Sequence, residues 1–128
     1  MITVRVFVWI ARVAGVGALI LGLLFWIAQI DLITFHMLFG LSLAISLLIL
    51  SIVMLFTRGM RILGIVGIIY TFVLPIFGLT QSRLLIGNLH WIIQTAHLLV
   101  GLGALALVQG IYMRYSRLNV PAVAATSR

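Results

Sequence analysis

The chain has no cysteine, no lysine and no glutamate, and a single acid, Asp31, stands against eight arginines in 128 residues. The missing thiols exclude disulfides, thiolate metal sites, iron–sulfur clusters and c-type haem attachment. The missing lysines exclude Schiff-base chemistry, with retinal or with pyridoxal phosphate. Only 7% of residues are charged, whereas 65% are hydrophobic. The mean hydropathy of +1.38 lies far outside the range of soluble globular proteins. A formal charge of +7 would suggest nucleic acid in a soluble protein, but the arginines are spread along an apolar chain and form no basic surface. No nucleic-acid partner is expected; the lipid bilayer is.

A hydrocarbon core of about 30 Å needs roughly 20 helical residues. The sequence offers four such stretches, and they predict an all-α, four-helix transmembrane bundle within residues 1–118, with spans at about 6–30, 32–57, 60–80 and 88–114. Strands are excluded because the alternation of a membrane barrel is absent. The first stretch lacks a small-residue cleavage site before Asp31, so it reads as a span and not as a signal peptide. Arg5, Arg12, Arg58, Arg61, Arg114, Arg117 and Arg128 fall on one side of the bundle and Arg83 alone on the other. The positive-inside rule then places both termini in the cytoplasm, in what is expected to be a prokaryotic plasma membrane. Arg12 is expected to snorkel to that face. Trp9 and Trp26 read as interfacial anchors, Pro75 predicts a kink in the third span, and residues 119–128 are expected to be a disordered tail.

Spans two and four repeat a pattern. Phe35-His36-Met37-Leu38-Phe39-Gly40-Leu41 and Ala96-His97-Leu98-Leu99-Val100-Gly101-Leu102 both read H-x-x-x-G-L, 61 residues apart. Arg12-Val13-Ala14-Gly15 and Arg61-Ile62-Leu63-Gly64 match at an offset of 49. The expected architecture is therefore two duplicated helical hairpins in the same orientation, related by an axis along the membrane normal. His36 and His97 then lie at similar depth on helices running the same way.

Ionisable side chains inside a span are costly and usually face the bundle interior, where they pair, move protons or bind a ligand. Two matched imidazoles with no acid or thiol nearby serve zinc poorly, since zinc wants three or four ligands. They suit haem, whose iron takes four nitrogens from the porphyrin and needs only one ligand above and one below. His36 and His97 are the candidate axial ligands. Gly40 and Gly101, each one turn further along, are candidates for close approach of the flat ring. Arg83 and His90 are candidates for the haem carboxylates at the outer surface. His90 lies seven residues before His97, about 10 Å along the helix. The competing readings give each histidine a backbone carbonyl or a hydroxyl such as Ser42, Ser46 or Thr95, or make the pair a proton or metal-ion path. His90, Trp91 and Gln94 also suggest a quinone or substrate pocket, against plain anchoring by Trp91.

Histidines on the second and fourth helices of a four-helix membrane unit resemble the small b-type cytochromes, and one haem-binding half of the heme A synthase family. The resemblance covers roughly residues 5–115, and its specific content is His36, His97 and the glycines that follow them. It implies one haem b held by two histidines and a role in electron transfer. The catalytic glutamate of that synthase family has no counterpart, so the resemblance is to a haem-holding half and not to its chemistry.

The expected function is thus that of a haem b-binding membrane cytochrome, an electron carrier more than a stand-alone enzyme, with a redox partner such as quinone or another membrane subunit. Three histidines leave room for a second haem, and association into a homodimer stays open. The alternative is a cofactor-free anchor or assembly subunit of a larger respiratory complex. Four-span multidrug exporters depend on an embedded glutamate, which this chain lacks.

Overall fold

The computed structural model describes residues 2–119. Over those residues the chain folds into four long α-helices, α1 (Ile2–Ala28), α2 (Ile33–Phe56), α3 (Arg61–Thr80) and α4 (His90–Leu118), with one 3-10 turn at Gln81–Arg83. Each helix is long and apolar enough to cross a membrane. In hydrocarbon every backbone N–H and C=O must be paired within the segment, which a helix achieves and an isolated strand does not. The protein is an all-α four-helix bundle and, by these spans, an integral membrane protein.

The breaks are local and chemical. Gln29 ends α1 with φ of 55°, and its amide donates to the Trp26 carbonyl at 2.8 Å, pairing one of the acceptors that every helix C-terminus leaves free. Asp31, the lone acid, accepts from the Ile33 N–H at 3.4 Å and sets its negative charge at the positive end of the α2 dipole. Gly59, at φ of 79°, makes the short turn between α2 and α3, a conformation open to glycine at little cost.

α2 packs along both α1 and α3, while α4 rests mainly on α1. The core is Val4, Val8, Ala11 and Ala14 of α1, Leu43, Leu47, Leu50 and Met54 of α2, Met60 before α3, and Ala104, Val108 and Ile111 of α4. Gly64 and Gly67 let α3 close onto Ser51 of α2. Tyr70 reaches across to α4, lies over Gly103 and donates to the Val100 carbonyl at 2.9 Å. Tyr70→Phe removes that bond and is expected to cost about 0.5–1.5 kcal/mol, measurable as a lower detergent-unfolding midpoint.

The core fills only half of the bundle. The outermost buried residues are Ala18, Leu43, Thr71 and Ala104, and toward the Asp31 end beyond them no described residue is buried. The helices are closed at the arginine-rich end and loosely packed at the other.

α1 begins at Ile2 and α4 continues to Leu118, so both helices extend beyond the expected spans. Pro75 lies within the continuous helix α3. The predicted disordered tail lies outside the described residues, apart from Asn119, which closes α4 by donating from its amide to the Tyr115 carbonyl at 2.8 Å.

Candidate functional site

The two intramembrane histidines meet. His36 of α2 and His97 of α4 have ring centroids 5.9 Å apart and ring planes inclined by 63°. His36 lies seven residues outward of Leu43, and His97 seven residues outward of Ala104. Both imidazoles therefore lie on the outer side of the packed core at matched depth, and His36 reaches back to Ala18 at its edge.

Each ring is seated by a neighbouring helix. His36 Nδ1 lies 2.8 Å from the carbonyl of Ala18 in α1. A carbonyl only accepts, so Nδ1 carries the proton and donates, and Nε2 keeps its lone pair. Gly22, one turn along α1, faces the same ring: a Cβ there would stand 3.1 Å from His36 Cε1 and 3.2 Å from Nδ1. His97 stacks on Phe77 of α3, with centroids 6.0 Å apart and planes within 12°. A Cβ on Gly78 would lie 3.4 Å from His97 Cε1. His97 Nδ1 is buried and, among the described residues, is the side-chain polar atom left without a hydrogen-bond partner. Such an orphan is costly in an apolar surrounding and calls for an explanation.

Two of the three hydroxyls offered as alternative partners are engaged elsewhere, and the third, Ser46, lies ten residues from His36 along α2. Ser42 donates to the Leu38 carbonyl and Thr95 to the Trp91 carbonyl, each within its own helix at 2.9 Å. The carbonyl alternative holds for His36, through Ala18, and fails for His97. No group of three or more His, Cys, Asp or Glu side chains is gathered among the described residues, so the pair has no third protein ligand to offer an isolated metal ion.

The remaining candidates are more dispersed. A Cβ on Gly40 or Gly101 would meet nothing within 4 Å, so these glycines face open space and touch no neighbouring helix. Gly22 and Gly78, which do face the imidazoles, were not anticipated. Arg83 is exposed in the 3-10 turn, and His90 sits at the start of α4 with Nδ1 3.3 Å from the Leu84 carbonyl. Both lie at the Asp31 end, as a carboxylate-binding role requires, and His90 is tied to the connecting loop.

Gly22→Val tests the seating of the ring. The added methyl groups crowd His36 away from Ala18, and any ligand held by that imidazole is expected to bind roughly 10-fold more weakly, read by titration of the purified protein. Gly40→Ala, on the open side, is expected to leave affinity unchanged.

Comparison with protein-family models, with curated proteins and with solved structures finds no match to this chain.

Proposed function

We propose that this protein is a haem b-binding membrane cytochrome, with His36 and His97 as the residues that would hold the haem and electron transfer as its role. The observation that carries the reading is the meeting of two imidazoles, at equal depth, in the unpacked half of an otherwise close-packed bundle. Ring centroids 5.9 Å apart put both imidazoles within reach of one bound group. The proton of His36 is fixed on Nδ1 by Ala18, which orients the ring and leaves Nε2 to coordinate. With only two protein ligands available, the rest of the coordination must come from the cofactor, as a porphyrin provides.

Haem supplies reversible one-electron chemistry at its iron. The chain's own residues do the rest. His36 and His97 would hold the haem through their imidazoles, and with both engaged the bound group would favour electron transfer over oxygen chemistry. Phe77 fixes the plane of His97 by stacking. Gly40 and Gly101 leave room along the same helices, and the apolar surfaces exclude water from the rings. Arg83 and His90 are assigned to the haem carboxylates, with the Asp31 end outside the cell and both termini in the cytoplasm. Quinone or another membrane subunit is the expected redox partner.

A reduced-minus-oxidised difference spectrum of the purified protein tests the proposal. One haem b per chain with a sharp α band is expected. Protein that stays colourless after haem is supplied during expression would leave the cofactor-free anchor as the better reading.

A further inference from the structure

Among the described residues, Arg12 departs from the other arginines, which lie in turns or near helix ends. It sits ten residues into α1, about 15 Å along the axis from Ile2, and meets α4 near Gln109, nine residues before Leu118. A guanidinium at this depth is costly unless it is paired. Its surroundings hold it without neutralising it. Gln109 Oε1 accepts from Nη2, and the Trp9 and Tyr112 rings lie 5.4 and 5.0 Å from Cζ. Each of these partners is neutral. The one acid of the chain, Asp31, is at the opposite end of the bundle.

The site opens to lipid and not to the bundle interior. Trp9 is 63% exposed, and Val13 and Val16 beside it on α1 are exposed apolar residues. Arg5 is two turns nearer the arginine-rich end, on the same side of α1, and is exposed. Side chains on a helix lean toward its N-terminus, which for α1 is the arginine-rich end, so Arg12 points toward the membrane surface on that side. The two cations form a ladder from the surface to the pocket between Trp9 and Tyr112.

We infer that Arg12, seated by Trp9, Gln109 and Tyr112 and approached past Arg5, is a binding site for the phosphate of an anionic lipid in the leaflet at the arginine-rich end. The guanidinium fork matches phosphate oxygens through paired N–H donors. Gln109 occupies one side of the fork and leaves the rest for the headgroup. The lipid supplies the counter-charge that the sequence lacks.

Trp9 provides the readout. In protein carrying Trp26→Phe and Trp91→Phe, Trp9 is the sole indole. Reconstitution into dioleoylphosphatidylcholine vesicles containing about 10% brominated phosphatidylglycerol, or the same fraction of brominated phosphatidylcholine, compares the two lipids at Trp9. Quenching is expected to show about fivefold enrichment of phosphatidylglycerol, to vanish in Arg12→Gln, and to survive in Arg114→Gln/Arg117→Gln. Arg12→Lys, which keeps the charge without the fork, serves where Arg12→Gln does not accumulate, and its enrichment is expected to fall to about half. Equal quenching by the two lipids, or enrichment unchanged by the Arg12 variant, would overturn the inference. So would dissociation of an oligomer by Arg12→Gln with lipid contact unaltered, because Arg12 would then serve a contact between copies of this chain. None of these outcomes depends on haem.

Discussion

Replacing either His36 or His97 by alanine is expected to abolish the low-spin spectrum of the protein, and each replacement alone should suffice. The two rings meet in one place, 5.9 Å apart, so under the proposed assignment loss of either would remove one of the two residues that hold the haem. Haem affinity should fall by more than the roughly 10- to 100-fold usual for losing a group that merely orients a ligand. Both substitutions remove a polar group from a loosely packed region and create no cavity in the core, so the helical fold should survive. Circular dichroism of the variants checks this. His90→Ala should keep the low-spin form, since His90 is bonded into the loop at Leu84. Low-spin iron persisting in His97→Ala would assign the ligand elsewhere. Its loss in His90→Ala would show that the wrong pair had been chosen.

Gly64→Ala is expected to have the largest effect on stability. A Cβ at this position would stand 2.8 Å from both the Ser51 carbonyl oxygen and the Leu55 nitrogen, which are backbone atoms of α2 and cannot rotate away. The substitution must push α3 off α2. In membrane bundles small residues at such crossings permit the packing that holds helices together, because lipid removes most of the hydrophobic drive. A loss of about 1–3 kcal/mol is expected, the usual cost of overfilling a packed contact. Gly110→Ala, where a Cβ would meet nothing within 4 Å, is the matched control on α4. Thermal unfolding in detergent that gave the two variants equal midpoints would contradict the packing described for α2 and α3.

Much of the fold was legible because membrane spans are written in composition. Four apolar runs separated by Gln29-Ile30-Asp31, Arg58-Gly59 and Gln81-Ser82-Arg83 mark the four helices, and α1 and α4 continue past the spans those runs define. α1 reaches back to Ile2 because Val4 packs into the core, and α4 runs on to Leu118 through the good helix formers Met113, Arg114, Arg117 and Leu118, where hydropathy no longer marks a span. The histidines were legible because an imidazole in a run of leucines stands out by its cost.

Which glycines would face them was not legible. The H-x-x-x-G pattern pointed to Gly40 and Gly101, each on the histidine's own helix, yet the rings are approached from the neighbouring helices at Gly22 and Gly78. Helices apolar on every side do not reveal which face meets a neighbour, so an inter-helix contact cannot be read from spacing within one helix. The expected repeat register also fails to predict the seating. An offset of 49 residues would set Thr71 against His97 as Gly22 is set against His36, whereas the contacts come from Phe77 and Gly78, about two turns further along α3. Snorkelling of Arg12 follows from its place in the sequence, whereas the contact that holds it between α1 and α4 is fixed by tertiary packing that spacing alone does not encode.

Electron paramagnetic resonance of the oxidised, haem-loaded protein, grown with and without isotopically labelled histidine, tests the central assignment most directly. The account predicts a low-spin ferric signal with hyperfine coupling to the nitrogens of two histidines, and loss of one coupling partner with each alanine variant. A high-spin signal, or coupling to a single histidine, would contradict the assignment of His36 and His97 as a pair of iron ligands.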